Sequence, residues 1–327
     1  MFGAEVRGQT YNTNPNPTVV TPQQGLPRSS LIPNYAEFVF GSIRGQHIDE
    51  VIVGADRALP SGMSAGAHLI QRKIGSVIED FMCDPDGDYC IGNPERSQQF
   101  FIDPMTFDTT ATSIKPRRDF RGAQIDLRQR STRSSWFASY LFSKLRGDYN
   151  GLFKFENGQF DPNFLSDFDL ANFSVNHNGW LPQDRRHQMK IAATSAFSNF
   201  GIGAVFTYAS GTPLASLGAD VFYGPGEHFL TRRGEALGRK RTPSLSSLDL
   251  RLSYALPMSR YKVELLADAF NALNRQAATF FDENWTFANI ASLPPGATAA
   301  NAPNTNYQKP VAWQTPRQIR FGVRVTP

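Results

Sequence analysis

Apolar and polar side chains alternate along this 327-residue chain in one segment after another. In the clearest segment, 246–256, every second residue from Leu248 to Leu256 is leucine or tyrosine, and Asp249, Arg251 and Ser253 lie between them. Because successive side chains of a β-strand point to opposite faces, this period of two predicts strands whose two faces meet different surroundings. Nine segments of this kind are 50–57, 63–72, 121–130, 136–144, 187–197, 200–208, 246–256, 261–269 and 319–326.

The connections between these segments alternate between short and long. The short turns lie near 60, 132, 198 and 258, and the long connections are 73–114, 147–184, 211–244 and 273–314. Structureless loops of more than about 15 residues are uncommon in compact soluble domains, whereas short periplasmic turns with long extracellular loops are typical of outer-membrane barrels. We therefore predict an all-β fold, an antiparallel meander of about nine strands that forms a partial transmembrane outer-membrane β-barrel.

The alternative is an exported β-sandwich or adhesin-type binding module, since a sandwich can also solvate one polar face of a sheet. The placement of all long loops at one end of the hairpins favours the barrel. Other classes are disfavoured by composition. The 33 Lys and Arg residues are scattered against 29 Asp and Glu, so no nucleic-acid partner is predicted, and no apolar stretch approaches the length of a spanning helix.

Cys83 and Cys90 lie close together in a loop rich in Gly and Asp. Two thiols with no nearby histidine cannot complete a zinc site, so a disulfide that closes a small surface loop of an exported protein is predicted; two free thiols are the alternative. Asp84, Asp86 and Asp88 resemble the start of a calcium loop, but the glycine and the distal glutamate are missing. The five histidines form no spaced constellation, and we expect no metal, no cofactor and no enzymatic activity.

The last long loop, 273–314, holds four large aromatic residues within eight positions: Phe280, Phe281, Trp285 and Phe287. We expect them to form an exposed apolar patch that contacts a ligand, since such patches usually mark contact sites. The alternative is that they extend a strand above the membrane as part of an aromatic girdle. The following stretch, 293–310, is rich in Pro, Ala and Asn, and it is expected to be a mobile tether.

Several segments resemble one family. DRRHQMKIAATSAFSNFGIGAVFTYASGTPL (184–214) and SLDLRLSYALPMSRYKVELLADAFNALNRQ (247–276), with its Phe-Asn-x-x-Asn ending, are similar to late barrel hairpins of TonB-dependent receptors. QTPRQIRFGVRVTP (314–327) resembles their closing strand. RSSWFASYLFSKLRGDYNGL (133–152) and DEVIVGADRAL (49–59) are similar to the Oar-like branch, whose members carry a carboxypeptidase-regulatory-like module.

This resemblance implies uptake across the bacterial outer membrane, in which extracellular loops bind a ligand and TonB energises displacement of a plug. It divides the chain into an extracellular irregular segment, 1–48, and the C-terminal portion of a receptor barrel, 49–327. The implied partners are the lipid bilayer with lipopolysaccharide, the remainder of the barrel and plug, an unknown extracellular ligand, and TonB through the N-terminal part of the receptor.

Two departures from the family pattern concern the ends of the barrel. The plug, the TonB box and the first strands are not in this sequence, and nine strands cannot close a barrel that resembles a 22-stranded one, so we expect a fragment. The outward series that ends at Val325 would continue at Pro327, where the family ends in an aromatic residue.

Overall fold

The computed structural model describes residues 42–103, 106–158, 166–221, 223–257, 261–290 and 304–326. Its main sheet contains nine long antiparallel strands, and each of them pairs with the next of the nine along the chain. We label them β1 (His47–Leu59), β2 (Met63–Gly75), β3 (Arg118–Arg130), β4 (Ser134–Gly147), β5 (His187–Phe197), β6 (Phe200–Ala209), β7 (Leu245–Leu256), β8 (Lys262–Phe270) and β9 (Gln318–Thr326). The predicted all-β antiparallel meander is confirmed, and a two-residue strand, Gly179–Trp180, adds to the end of β4.

Short turns join the strands at one end of the main sheet. Ser61 and Gly62 both have positive φ in the turn between β1 and β2, the backbone that matches a tight hairpin to the right-handed twist of its strands. The predicted turn near 258 falls partly on residues outside those described. Because β1 begins at His47, the expected boundary at residue 48 lies inside this strand, and 1–41 lie outside the described residues.

The strand register extends the alternation of side chains across the whole main sheet. Ile191 lies opposite Phe206, and Phe206 lies opposite Leu248, so apolar residues share one face on neighbouring strands. Large side chains of this apolar face remain exposed, among them Ile202 at 56% and Phe321 at 80%. An outward apolar band of this kind is what a transmembrane barrel presents to lipid. Among the described residues, no helix has the length and apolarity needed to cross a membrane.

The buried core lies in the long connections and not between two sheets. We call the described residues of 76–117, 148–186, 210–244 and 271–317 the loop cap. Three of its four buried apolar clusters join different loops; Met82, for example, packs with Leu170 and Phe173. The cap also carries small sheets formed by 79–82 with 89–92, by 99–102 with 109–112, by 278–281 with 310–313, and by 217–220 with 224–229 and 284–289.

The expectation of structureless long loops is therefore wrong for the described residues. The loops fold because they bury apolar side chains, most of them against a neighbouring loop. The fourth long loop contains the strands 278–281 and 284–289. Most of the expected mobile tether, 293–310, lies outside the described residues, which resume at 304, so its mobility stays a prediction.

Candidate functional site

The second face of the main sheet is polar, and its charges pair across neighbouring strands. Arg251 on β7 donates from Nε to Asp268 Oδ1 on β8 at 2.6 Å, and Arg320 on β9 donates from Nη2 to Asp268 Oδ2 at 2.7 Å. Arg324 donates to Glu264 at 3.1 Å in the same way. The register separates 249, 251 and 253 from 248, 250 and 252, as predicted. Paired charges on one face and exposed apolar residues on the other suit a wall between lipid and an aqueous lumen.

A cleft of about 560 Å³ lies on this polar face below the loop cap. Gln124 and Gln188 contribute side-chain amides to its lining, and Thr207 contributes a hydroxyl. The charged residues of the lining are Arg185 and Lys190, with no acidic side chain among them. A cleft with only positive charge favours negatively charged groups.

Charged side chains that are almost fully buried hold the loop cap together. Lys154 has an exposed side-chain fraction of 0%, and its Nζ lies 2.6 Å from Glu227 Oε2 and 3.2 Å from Asp167 Oδ1. Burial alone would raise the pKa of Asp167, but the neighbouring His177, Lys154 and Arg233 lower it below its ordinary value. Burial alone would lower the pKa of Lys154, and the carboxylates of Asp167 and Glu227 raise it instead. Lys154 and Asp167 are therefore both ionised at neutral pH.

Arg233 extends this network to a further part of the second long loop. Its guanidinium is fully buried. Nε donates to Glu156 Oε1 at 2.6 Å, and Nη1 donates to the Asp148 carbonyl at 2.9 Å. Its Nη2 lies 3.6 Å from Asp167 Oδ2, and His177 Nε2 lies 3.3 Å from the same oxygen. Buried charges of this kind are tolerated only when they are paired, so the network fixes how the second and third long loops pack.

A second group of buried acids lies between the first three long loops. Burial, followed by the charge of Asp80, raises the pKa of Asp169 to about 8. Burial likewise raises the pKa of Glu79 well above its ordinary value. The hydroxyl oxygens of Tyr89 and Tyr223 lie 2.5 Å apart beside these acids. At neutral pH Asp169 thus keeps its proton, which avoids an uncompensated buried charge.

The two cysteines lie at the beginning of the loop cap. Cys83 and Cys90 are joined by a disulfide, and their Cα atoms are 5.7 Å apart. Within the loop that they close, Asp84 Oδ1 accepts hydrogen bonds from the backbone N–H groups of Asp86, Gly87 and Asp88. These backbone hydrogen bonds lower the pKa of Asp84. Its carboxylate therefore stabilises the turn, which explains the aspartate spacing without a calcium ion.

The four loop aromatics do not form one exposed patch, so that expectation is wrong. Phe281 is 3% exposed and packs with Leu214 and Ala236. Trp285 is half-buried and packs edge-on against Tyr307, with ring centroids 4.8 Å apart. Phe280 is also half-buried. Phe287, at 57% exposed, is the one of the four with a freely accessible ring.

The loop cap interactions were missed at the level of sequence. Lys154, Asp167, Glu227 and Arg233 are far apart in the chain, and nothing in their spacing indicates that they meet. The one available signal was the length of the loops, since loops this long are often functional and carry structure of their own.

Comparison with known proteins identifies the family of this chain. No protein-family model matches the chain. The TonB-dependent transporter Oar of Myxococcus xanthus is 32% identical over 316 residues, which is 87% of this chain and 28% of that protein. This chain therefore spans less than a third of the length of the curated relative that it matches.

Superposition on a solved structure agrees at the level of the fold. The outer membrane transporter YddB from Escherichia coli superposes with a TM-score of 0.50 at 10% identity, over 87% of this chain and 33% of its own. The ferric-catecholate import receptor Fiu from E. coli K12 gives a TM-score of 0.47 at 12% identity, over 87% of this chain and 28% of its own. The identity to Oar across most of the chain, together with the two-faced antiparallel meander, shows that this chain belongs to the TonB-dependent transporters, as part of their β-barrel in the bacterial outer membrane.

Proposed function

We propose that this chain forms part of the wall and of the ligand-binding extracellular surface of a transporter that takes up a ligand across the outer membrane. The observation that carries the proposal is the combination of a two-faced meander with a single folded loop cap at one end. The main sheet supplies a lipid face and a lumen face, and the loop cap supplies a surface on which a ligand can dock before it enters the lumen.

The partners follow from the same arrangement. The apolar face of β1–β9 contacts lipid, the loop cap faces lipopolysaccharide and the medium, and the polar face lines a lumen shared with further barrel strands and a plug. Contact with TonB belongs to the plug-containing part of such a receptor. We propose residues 49–327 as the barrel portion and assign no catalytic role to this chain.

The exported sandwich is the weaker candidate. A sandwich buries the apolar face of one sheet against a second sheet, and here large residues of that face, such as Phe321 at 80%, are exposed. In water an apolar band of this size would cause aggregation, so it favours a lipid environment.

Topology can be tested in intact cells that produce the protein. Single cysteines at Lys309 in the loop cap and at Thr132 in a short turn are labelled with a membrane-impermeant maleimide. We expect labelling at 309 in intact cells and labelling at 132 only after the outer membrane is permeabilised. Release of the protein into the soluble fraction by osmotic shock would support the sandwich instead.

Transport is tested by comparing cells with and without the gene. Spent growth medium is incubated with both strains, and the compounds that only the intact strain removes are identified by mass spectrometry. We expect at least one compound whose removal is also lost in a strain without TonB. Equal depletion by all strains would contradict the proposed uptake.

A further inference from the structure

Three neighbouring strands bring two aspartates and a histidine together on the polar face, near the short-turn end. They are Asp56 on β1, His68 on β2 and Asp126 on β3. In the register, Asp56 and Asp126 both lie opposite Gly66, one on each side of it. His68 follows Gly66 by two positions and therefore points to the same face.

Glycines make this convergence possible. A Cβ at Gly66 would lie 3.0 Å from Asp126 Oδ1 and 3.0 Å from His68 Cε1, and it would overlap the carboxylate of Asp56. Gly54 lies opposite His68, and a Cβ there would overlap the imidazole ring. Glycine in the interior of a strand is destabilising, and it often marks a site where other groups approach the backbone closely. Gly54 and Gly66 therefore leave room for the side chains of Asp56, His68 and Asp126.

The donor atoms already lie close to one another. His68 Nε2 is 3.3 Å from Asp56 Oδ2, and His68 Nδ1 is 3.8 Å from Asp126 Oδ1. One atom from each of the three residues can be chosen such that all lie within 4.8 Å of one another. Zinc binds imidazole nitrogen and carboxylate oxygen at about 2.0–2.2 Å, so small side-chain rotations would let the three atoms share one ion.

Asp126 is the most buried of the three side chains, and Arg128 bonds one of its two carboxylate oxygens. Its side chain is 3% exposed. Oδ2 accepts hydrogen bonds from Arg128, at 3.1 Å from Nη2, but Oδ1 accepts none within the described parts of the chain and points towards His68. Oδ1 therefore faces the imidazole of His68 and is available to a cation that the two side chains share.

We propose that Asp56, His68 and Asp126 bind one divalent first-row transition cation, such as Zn²⁺, with water in the remaining positions. An imidazole with two carboxylates is a ligand set suited to zinc, iron, nickel or manganese, and the two negative charges compensate the ion. The ion would link β1, β2 and β3 near the short-turn end of the lumen. A simple ion-pair cluster, in which His68 is charged between the two aspartates, is the competing interpretation.

The test uses the whole chain in detergent after treatment with a chelator, with Co²⁺ and Zn²⁺ as probes. We expect one equivalent of Co²⁺ with visible absorption bands that Zn²⁺ displaces, and no comparable binding of Mg²⁺. Asp56→Asn is the safest variant, because the carboxylate is 66% exposed and its loss leaves folding intact. His68→Gln removes the nitrogen ligand. Each variant should reduce the affinity for Co²⁺ at least about tenfold, because losing even a residue that only supports a metal ligand typically costs about that much.

His47→Gln is the matched control. His47 lies on β1 with Asp49 Oδ2 at 3.9 Å from its Nε2, but it belongs to no three-residue cluster among the described residues. This variant should bind Co²⁺ like the parent chain. Absence of a stoichiometric ion in the parent chain, or unchanged affinity in Asp56→Asn and His68→Gln, would overturn the metal site and leave the ion-pair cluster.

Discussion

Replacing Lys154 by methionine should open the loop cap and leave the main sheet unchanged. Methionine keeps the length and the apolar stem of the side chain, so the substitution removes little more than the charge. Nζ of Lys154 lies 2.6 Å from Glu227, 3.2 Å from Asp167 and 3.2 Å from Ser166 Oγ, all in a fully buried position.

The expected loss of stability depends on which partners the carboxylates of Asp167 and Glu227 retain when the lysine charge is removed. Removing one partner of a buried ion pair typically costs about 3–5 kcal/mol, because the other charge stays buried without compensation. Asp167 retains His177 at 3.3 Å and Arg233 at 3.6 Å, whereas Glu227 retains only neutral donors such as Ser166. We therefore expect a loss near the lower end, about 3 kcal/mol.

Hydrogen exchange read by mass spectrometry separates the two parts of the molecule. Peptides from the loop cap should exchange roughly a hundredfold faster in Lys154→Met, since each 1.4 kcal/mol is a factor of ten in the opening equilibrium, and peptides from β3 and β7 should not change. Lys309→Met is the matched control, because the Lys309 side chain is exposed and, among the described residues, its Nζ donates only to Asn306 Oδ1, at 3.3 Å. Adding Glu227→Gln to Lys154→Met should restore part of the protection. Unchanged exchange in Lys154→Met would refute the view that this network holds the cap.

Three further predictions concern the sheet, the disulfide and pH. Leu250→Arg should destabilise the inserted protein by about 2–4 kcal/mol if residue 250 lies near mid-bilayer, whereas Arg251→Leu should have a much smaller effect. Equal effects of the two substitutions on urea unfolding from lipid would contradict the assignment of the lipid face and the lumen face. Mass spectrometry without reductant should find no alkylatable thiol at Cys83 or Cys90, and reduction should destabilise their loop by about 2–3 kcal/mol on the entropic model. The raised pKa of Asp169, about 8 in the fold against an ordinary value of 3.8, means that the folded state holds a proton that the unfolded state releases; the stability of the cap should fall as pH rises from 3.8 towards 8, and Asp169→Asn should flatten the thermal melting profile across that window.

The main sheet was predictable because its signal is local. The alternation from Leu248 to Leu256 defines a strand and its two faces without knowledge of any other segment. The short turns then determine the register, since slipping a strand by one residue would move its apolar side chains to the wrong face. All nine predicted strands are present for this reason.

The loop cap was not predictable from such signals, because its contacts join positions without any period. Phe281 packs against Leu214 and Ala236 from another loop, and it looked like an exposed ring beside Phe280. Lys154 reads in the sequence as a solvated loop lysine, and only the folded chain shows that it is fully buried. Burial of this type is decided by the packing of all loops together.

The cluster at Asp56, His68 and Asp126 is an intermediate case. Leu59 pairs with Met63 across the first short turn, and counting back from that pair places Asp56 opposite Gly66 and Gly54 opposite His68. That part follows from turn position and strand parity alone. The approach of Asp126 needs the register between β2 and β3, whose connection is a long loop that does not determine it.

The sheets that join the third and fourth loops limit how the cap can move. Strand 217–220 pairs with 224–229 in its own loop and, in parallel, with 284–289 in the next loop. The Ser216 hydroxyl lies 2.6 Å from the Tyr307 hydroxyl, which donates to the Leu237 carbonyl at 2.8 Å. Any displacement of the third loop that keeps these bonds must carry the fourth loop with it. Under the proposed function, a ligand that docks on this surface would meet preformed structure and would spend little free energy on ordering it. Any motion of the third loop that admits such a ligand would also move the fourth loop.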